Sequence, residues 1–180
     1  MFTGTSKSTV AGGFTLVEVM VVVAIVACLG AIATPLVANF YSGCALKTAM
    51  GDICLLVREA RGLALSSDGP HAVTFNPVTG RASLVLSRGP DNQWNTADDQ
   101  VLSSVKIVGR GGGLRFGYGS CGPIPGLAPS DDGITFQANN SMVCNQDLSS
   151  NAGTVYLVAG NDTAMALTAN SSANGYRLRR

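Results

Sequence analysis

Residues 13–40 read GFTLVEVMVVVAIVACLGAIATPLVANF, and this stretch decides the fold. Between Glu18 and Lys47 there is no charged side chain, and Val19 to Ala38 is almost wholly Val, Ile, Leu, Ala and Met. About 20 apolar residues suffice for a helix to cross a bilayer, so this run is expected to be transmembrane. Met1 to Gly13, ahead of it, is polar and carries Lys7 and the amino terminus, the positive flank that stays cytoplasmic. The rest of the chain is then expected to face outward. A secretory signal would have a shorter apolar core and a polar start to the mature chain, whereas here the apolar run passes into a helical pattern.

Glu18 sits inside that apolar run. A carboxylate at membrane depth is costly enough to be a functional residue seeking a partner; the alternative is an interfacial side chain that reaches water. Gly13-Phe14-Thr15-Leu16-Val17-Glu18 resembles the processing site of type IV prepilins, and Pro35 falls where pilin-like helices commonly carry a proline. The resemblance implies that a membrane-embedded prepilin peptidase cuts between Gly13 and Phe14 and methylates the new N-terminus at Phe14. An ammonium from a neighbouring chain would neutralise a buried carboxylate, so Glu18 is expected to select and register neighbouring subunits. Pro35 lacks a helical donor and crowds the preceding turn, which predicts a kink or a locally melted stretch near Gly30 to Pro35.

The remainder has room for one modest core: the chain has 180 residues, 46% hydrophobic and 13% charged, with a net charge of +1. Its mean hydropathy of +0.27 is raised by the N-terminal run. Near-neutral charge argues against a strongly basic nucleic-acid binder or an acidic tail. Past Pro35, Leu46, Ala49, Ile53, Leu56, Ala60, Leu63 and Ala64 recur at three- and four-residue spacing, while Lys47, Asp52, Arg58, Glu59 and Arg61 fall elsewhere. A helix from Phe14 to Ser66 would be about 80 Å long, and Ser66-Ser67-Asp68-Gly69-Pro70 would end it. Strands are expected at Ala72–Phe75, Ala82–Leu86, Val101–Val108, Leu114–Tyr118, Gly133–Gln137, Thr154–Ala159, Ala164–Thr168 and Tyr176–Leu178. The expected class is α+β: a long N-terminal helix, its first half transmembrane, packed against an antiparallel sheet head. The expected domains are a leader at 1–13, an anchoring and assembly half-helix at 14–38, and a head at 39–180. Arg58-Glu59-Ala60-Arg61, Ile134-Thr135-Phe136 and Gly175-Tyr176-Arg177-Leu178-Arg179 resemble the GspH/FimT group of minor pilins and pseudopilins.

Of the five cysteines, Cys28 lies in the membrane run, and Cys44 and Cys54 are about 15 Å apart along one helix and cannot bridge. Cys121 and Cys144 are expected to pair across the Pro/Gly-rich loop in an oxidising compartment, with free thiols as the alternative. Asp91, Asn92, Asp98 and Asp99 gather oxygen ligands of the kind calcium takes and resemble the aspartate-rich loops of some pseudopilins; the competing expectation is a solvated loop built on Asx turns. Gly117-Tyr-Gly119-Ser-Cys-Gly122 matches GxGxxG, but the prolines that follow leave no helix N-terminus to receive a phosphate. His71, the one histidine, has no nucleophile at a recognisable spacing. Gly175-Tyr-Arg177-Leu-Arg179 is similar to the Gly-Arg-x-Arg motif with which some FimT-like minor pilins bind DNA, displaced by the inserted Tyr176. Arg177, Arg179 and Arg180, with Arg110 and Arg115, form a candidate phosphate-binding patch, and its alternative is a solvated charged end.

The expectation is a non-catalytic minor pilin of a type IV pilus. It would be anchored once in the inner membrane with its head in the periplasm, cut by prepilin peptidase and assembled with other pilins. A type II secretion pseudopilin, a DNA-binding minor pilin for natural transformation and a major pilin are the alternatives. No cofactor beyond calcium is expected.

Overall fold

The computed structural model describes residues 13–123, 132–170 and 176–179, with Cys121 and the last four by backbone alone. Among the described residues one α-helix, α1 (Leu16–Ser66), is followed by eight strands: β1 (His71–Asn76), β2 (Arg81–Ser87), β3 (Gln100–Lys106), β4 (Arg115–Phe116), β5 (Ser141–Cys144), β6 (Gly153–Val158), β7 (Ala164–Ala169) and β8 (Tyr176–Arg179). They form two four-stranded antiparallel sheets, ordered β3-β2-β1-β5 and β4-β6-β7-β8, where one sheet was expected. The chain divides into two compact units, 1–37 and 38–180.

Within the second unit, α1 turns Leu46, Ala49, Met50, Ile53, Leu56, Val57, Ala60 and Ala64 inward. Period-3.6 spacing puts these on one face. They join one core with Val73, Phe75, Ala82, Leu84 and Met142 of the first sheet and Val155, Leu157, Met165 and Leu167 of the second. A single helical stripe thus serves both sheets, and full burial of each large aliphatic side chain contributes about 1.5–3 kcal/mol. Phe75 anchors the aromatic part, stacked on Phe136 at 5.8 Å and edge-on to Phe116 at 6.5 Å.

Two expected elements come out differently. Ser141–Cys144 is a strand that its short, mixed sequence did not announce; it pairs with β1 from His71↔Cys144 to Thr74↔Ser141. Gly133–Gln137 is not a ladder strand. It meets β6 through the single bridge Ile134↔Val155, and the Thr135 hydroxyl accepts the Thr154 N–H at 2.7 Å where a backbone carbonyl would stand in a ladder. β4 and this segment lie end to end on the same edge of β6: Gly117 N–H donates to Tyr156 O and Tyr156 N–H donates to Gly133 O. They abut at Gly117 and Gly133, and a Cβ added to Gly133 would stand 2.5 Å from the Gly117 backbone.

The α1–β1 corner is pinned by His71. Its Nδ1 donates to Leu86 O at 2.7 Å, which leaves Nε2 to accept the Ser67 hydroxyl at 2.6 Å. Gln146 adds a bond from Nε2 to Ser67 O at 2.8 Å, tying the β5–β6 loop to the helix end. The only histidine is a structural clamp.

Candidate functional site

The N-terminal unit is a helix end followed by an exposed apolar rod. Thr15 caps α1: its hydroxyl accepts the Glu18 N–H at 3.2 Å, and Val19 N–H donates to Thr15 O. Thr15-Leu16-Val17-Glu18 is the Thr-x-x-Glu pattern of a capping box, a signal that was legible and unread in the sequence. Glu18 therefore stands in the first helical turn, where the positive end of the helix dipole favours a carboxylate. Gly13 and Phe14 precede the helix, and Phe14 is 83% exposed. Every large apolar side chain from Leu16 to Phe40 is exposed as well. Such a surface is stable only in lipid or against other apolar helices, and α1 is long and apolar enough to cross a membrane.

Pro35 does not melt the helix, contrary to the local melting considered from the sequence. α1 is continuous from Leu16 to Ser66. One proline removes a single i to i−4 bond, and the turn before it is reinforced by the Thr34 hydroxyl, which donates to Gly30 O at 2.7 Å.

The expected Cys121–Cys144 bridge is not formed. Cys144 is a free thiol, fully buried in the core at the end of β5; the Cys121 side chain lies outside the described residues. Burial pushes the Cys144 thiol above its ordinary pKa, against a smaller opposing pull from Arg61. Cys54 is also a free thiol raised by burial, opposed by Arg58, while Cys28 and Cys44 are free and exposed.

The aspartate-rich loop is a flap held by its own side chains. Asp99 accepts the N–H groups of Asn95 at 2.7 Å and Thr96 at 3.1 Å on Oδ2, and that of Gly89 on Oδ1. Asp91 accepts from Gln93 N–H at 2.9 Å, and Asp98 accepts from Asp91 N–H at 3.4 Å. Asn92 and Asn95 adopt left-handed backbone angles, φ 58° and 63°, which Asn tolerates well. Asn95 Nδ2 donates to Phe75 O and Asn139 O, and Asn139 Nδ2 donates to Trp94 O at 2.7 Å. The flap lays Trp94 over Ala72 and Val85, on the sheet face opposite the main core, with Arg88 stacked 5.5 Å from its ring. Among the described residues no three His, Cys, Asp or Glu side chains stand where they could hold a metal. The carboxylates that pointed to calcium are occupied as Asx-type loop acceptors.

The arginines are not gathered into one patch. Arg110 is engaged by Asp52 of α1 in an ion pair. Arg115 is on β4 and Arg177 and Arg179 are on β8, opposite edges of one sheet and three strand spacings, about 14 Å, apart. Arg180 lies outside the described residues. The GxGxxG match folds as a three-residue 3-10 turn, Gly119–Cys121, with no helix behind it.

These features are a Gly-Phe junction, a capped helix start with Glu18 in its first turn and an exposed apolar helix. Residues 10–34 match the family described as the Prokaryotic N-terminal methylation motif, a match that spans the Gly13/Phe14 junction, Glu18 and most of the apolar run. Among solved structures, the chain is similar to the minor pseudopilin EpsH from the Type 2 Secretion System of Vibrio cholerae. The two are 14% identical with a TM-score of 0.46, over 75% of this chain and 95% of that one. No curated protein sequence matches significantly.

Proposed function

We propose that this chain is a structural minor pilin: anchored in the inner membrane by α1 with its head in the periplasm, cut between Gly13 and Phe14 by prepilin peptidase, and assembled with other pilins through the apolar half of α1. The observation that carries this reading is the combination of the methylation motif over residues 10–34 with a helix whose apolar side chains are all exposed up to Phe40. Glu18 is the single carboxylate on that surface, and the amine of a neighbouring Phe14 freed by cleavage would neutralise it in an assembly. The role is non-catalytic. Intact-mass measurement of the protein from cells with and without the peptidase tests the processing step. A chain beginning at methylated Phe14 only when the peptidase is present supports the reading, and an uncut chain or a cut elsewhere overturns it. Glu18→Ala should still be cut but should no longer enter filaments. A type II secretion pseudopilus is the sister assignment, separated by whether deletion abolishes pili or secretion.

A further inference from the structure

The two edges of the first sheet are finished differently. β5 stands at one edge, and its outer groups are closed by a side chain: Asn151 Oδ1 accepts the Val143 N–H at 2.7 Å, and Asn151 Nδ2 donates to Ser141 O at 2.8 Å. β3 stands at the other edge, and among the described residues no segment but β2 pairs with it. An open edge is a row of unpaired N–H and C=O groups that templates a further strand unless it is blunted. Ile107 N–H donates to Gly80 O, which turns Ile107 toward β2. Antiparallel alternation turns Ser103 and Val105 toward β2 as well, and sends the N–H and C=O groups of Ser104 and Lys106 outward. The regular stretch ends at Leu102, which the register leaves without a partner between Leu84↔Ser103 and Val85↔Val101.

The side chains along this edge sort by face. Ala82, Leu84 and Ile107 are in the main core, with Val105 packed against it, so Arg81, Ser83, Ser104 and Lys106 stand on the opposite face. There Arg81 and Lys106 are direct cross-strand neighbours, both exposed. Like charges in that relation destabilise a sheet. Arg81 Nη1 donates to the Ser104 hydroxyl at 3.0 Å, and among the described residues no carboxylate pairs with either cation. Asp52 is taken by Arg110. The flap carboxylates stay at the other end of β3: Asp99 directly precedes Gln100, Asp98 precedes Asp99, and Asp91 N–H donates to Asp98. An extended strand of this length separates them from Lys106 by about 20 Å. Asp132 bonds Asn140, whose carbonyl accepts the Phe75 N–H on the β5 side of β1.

We infer that the outer edge of β3 is a strand-addition site for an extended segment of a partner protein that alternates acidic and apolar residues. Ser104 and Lys106 pair through their backbone with the incoming strand, its carboxylates lie on the face of Arg81 and Lys106, and its apolar side chains lie on the face of Val105. The addition relieves the like-charge contact between β2 and β3 and satisfies the open backbone groups. Main-chain bonds give such an addition its affinity, and the alternate side chains give it its choice of partner. Asn151 closes β5 against the same event. The site is separate from assembly through α1 and does not depend on it.

The test uses the full-length chain in detergent micelles and a short fluorescein-labelled peptide of alternating valine and glutamate. A valine–lysine peptide and a backbone N-methylated version of the first serve as comparisons. Fluorescence anisotropy should show the valine–glutamate peptide bound at least about fivefold more tightly than the valine–lysine one, and R81E/K106E should reverse that order. Ser104→Pro removes an N–H that points outward and serves no ladder bond, so it should keep the urea midpoint read by Trp94, the one tryptophan, and abolish binding. Methylation of the peptide amides should abolish binding with the protein unaltered, and it decides the matter if Ser104→Pro shifts the midpoint. Binding that survives methylation, or that is equal for both charges, overturns the proposal, as does the absence of binding by any of the peptides. Self-association of the wild-type chain that Ser104→Pro removes would give the edge to a second copy and overturn it too.

Discussion

Gly112→Ala tests how the head is seated on its helix. Gly112 has φ +64°, and a Cβ there would stand 2.9 Å from Ala45 Cβ and 3.0 Å from Ser42 Cα. The left-handed backbone costs a non-glycine residue about 1–2 kcal/mol. Neither neighbour is the end of a flexible side chain, so the loop must lift from α1, at about 1–3 kcal/mol for an overpacked contact. The expected total is about 2–5 kcal/mol. Gly109→Ala is the control: its φ is +82° but its Cβ would meet only Lys106 at 3.5 Å or beyond, so it should lose only the backbone cost of about 1–2 kcal/mol. Urea unfolding of the detergent-solubilised chain, followed by Trp94 fluorescence, measures both. Removing the struck methyl with Ala45→Gly should recover part of the difference in the Gly112→Ala background, less about 1 kcal/mol of helix propensity. If Gly112→Ala loses no more than Gly109→Ala, or Ala45→Gly brings no recovery, the loop does not rest on α1 as described.

Two other expectations follow from titratable groups. Asp98 and Asp147 are held below the usual carboxylate range, chiefly by the side-chain hydroxyls of Thr96 and Ser149 and also by backbone N–H groups. A depressed folded pKa contributes stability that is present above the unfolded value, about 3.9, and lost as pH falls through the folded one. Stability should therefore decline below about pH 4, and D98N with D147N should flatten that decline in unfolding curves taken across the acid range. Thiol labelling at pH 8 should modify Cys44 quickly, and Cys54 and Cys144 only on unfolding, because burial both shields these thiols and disfavours their thiolates; equal rates for all three would refute their placement in the core.

Local pattern determined much of this protein. An uninterrupted apolar run with one acid, a Gly-Phe-Thr-Leu-Val-Glu junction and a stripe of period 3.6 from Leu46 to Ala64 are properties of neighbouring residues, and they specified a helix long and apolar enough to cross a membrane, the match to the methylation motif and the buried face of α1. Most strands were legible for the same reason, since alternation and turn residues are local. Contacts between distant segments decided the rest. Ser141–Cys144 is a strand because β1 offers it an edge, and that pairing carries Cys144 into the core. Asp91, Asp98 and Asp99 look like ligands in isolation, but Asn95 and Asn139 draw their loop across the sheet and their oxygens close the loop's own N–H groups. Arg110 is free in a list of charges and engaged once Asp52, 58 residues away, stands beside it. Backbone propensity acts over a few residues, whereas hydrogen-bond and charge satisfaction depends on which remote groups the fold brings within about 3 Å, and only the tertiary structure supplies that.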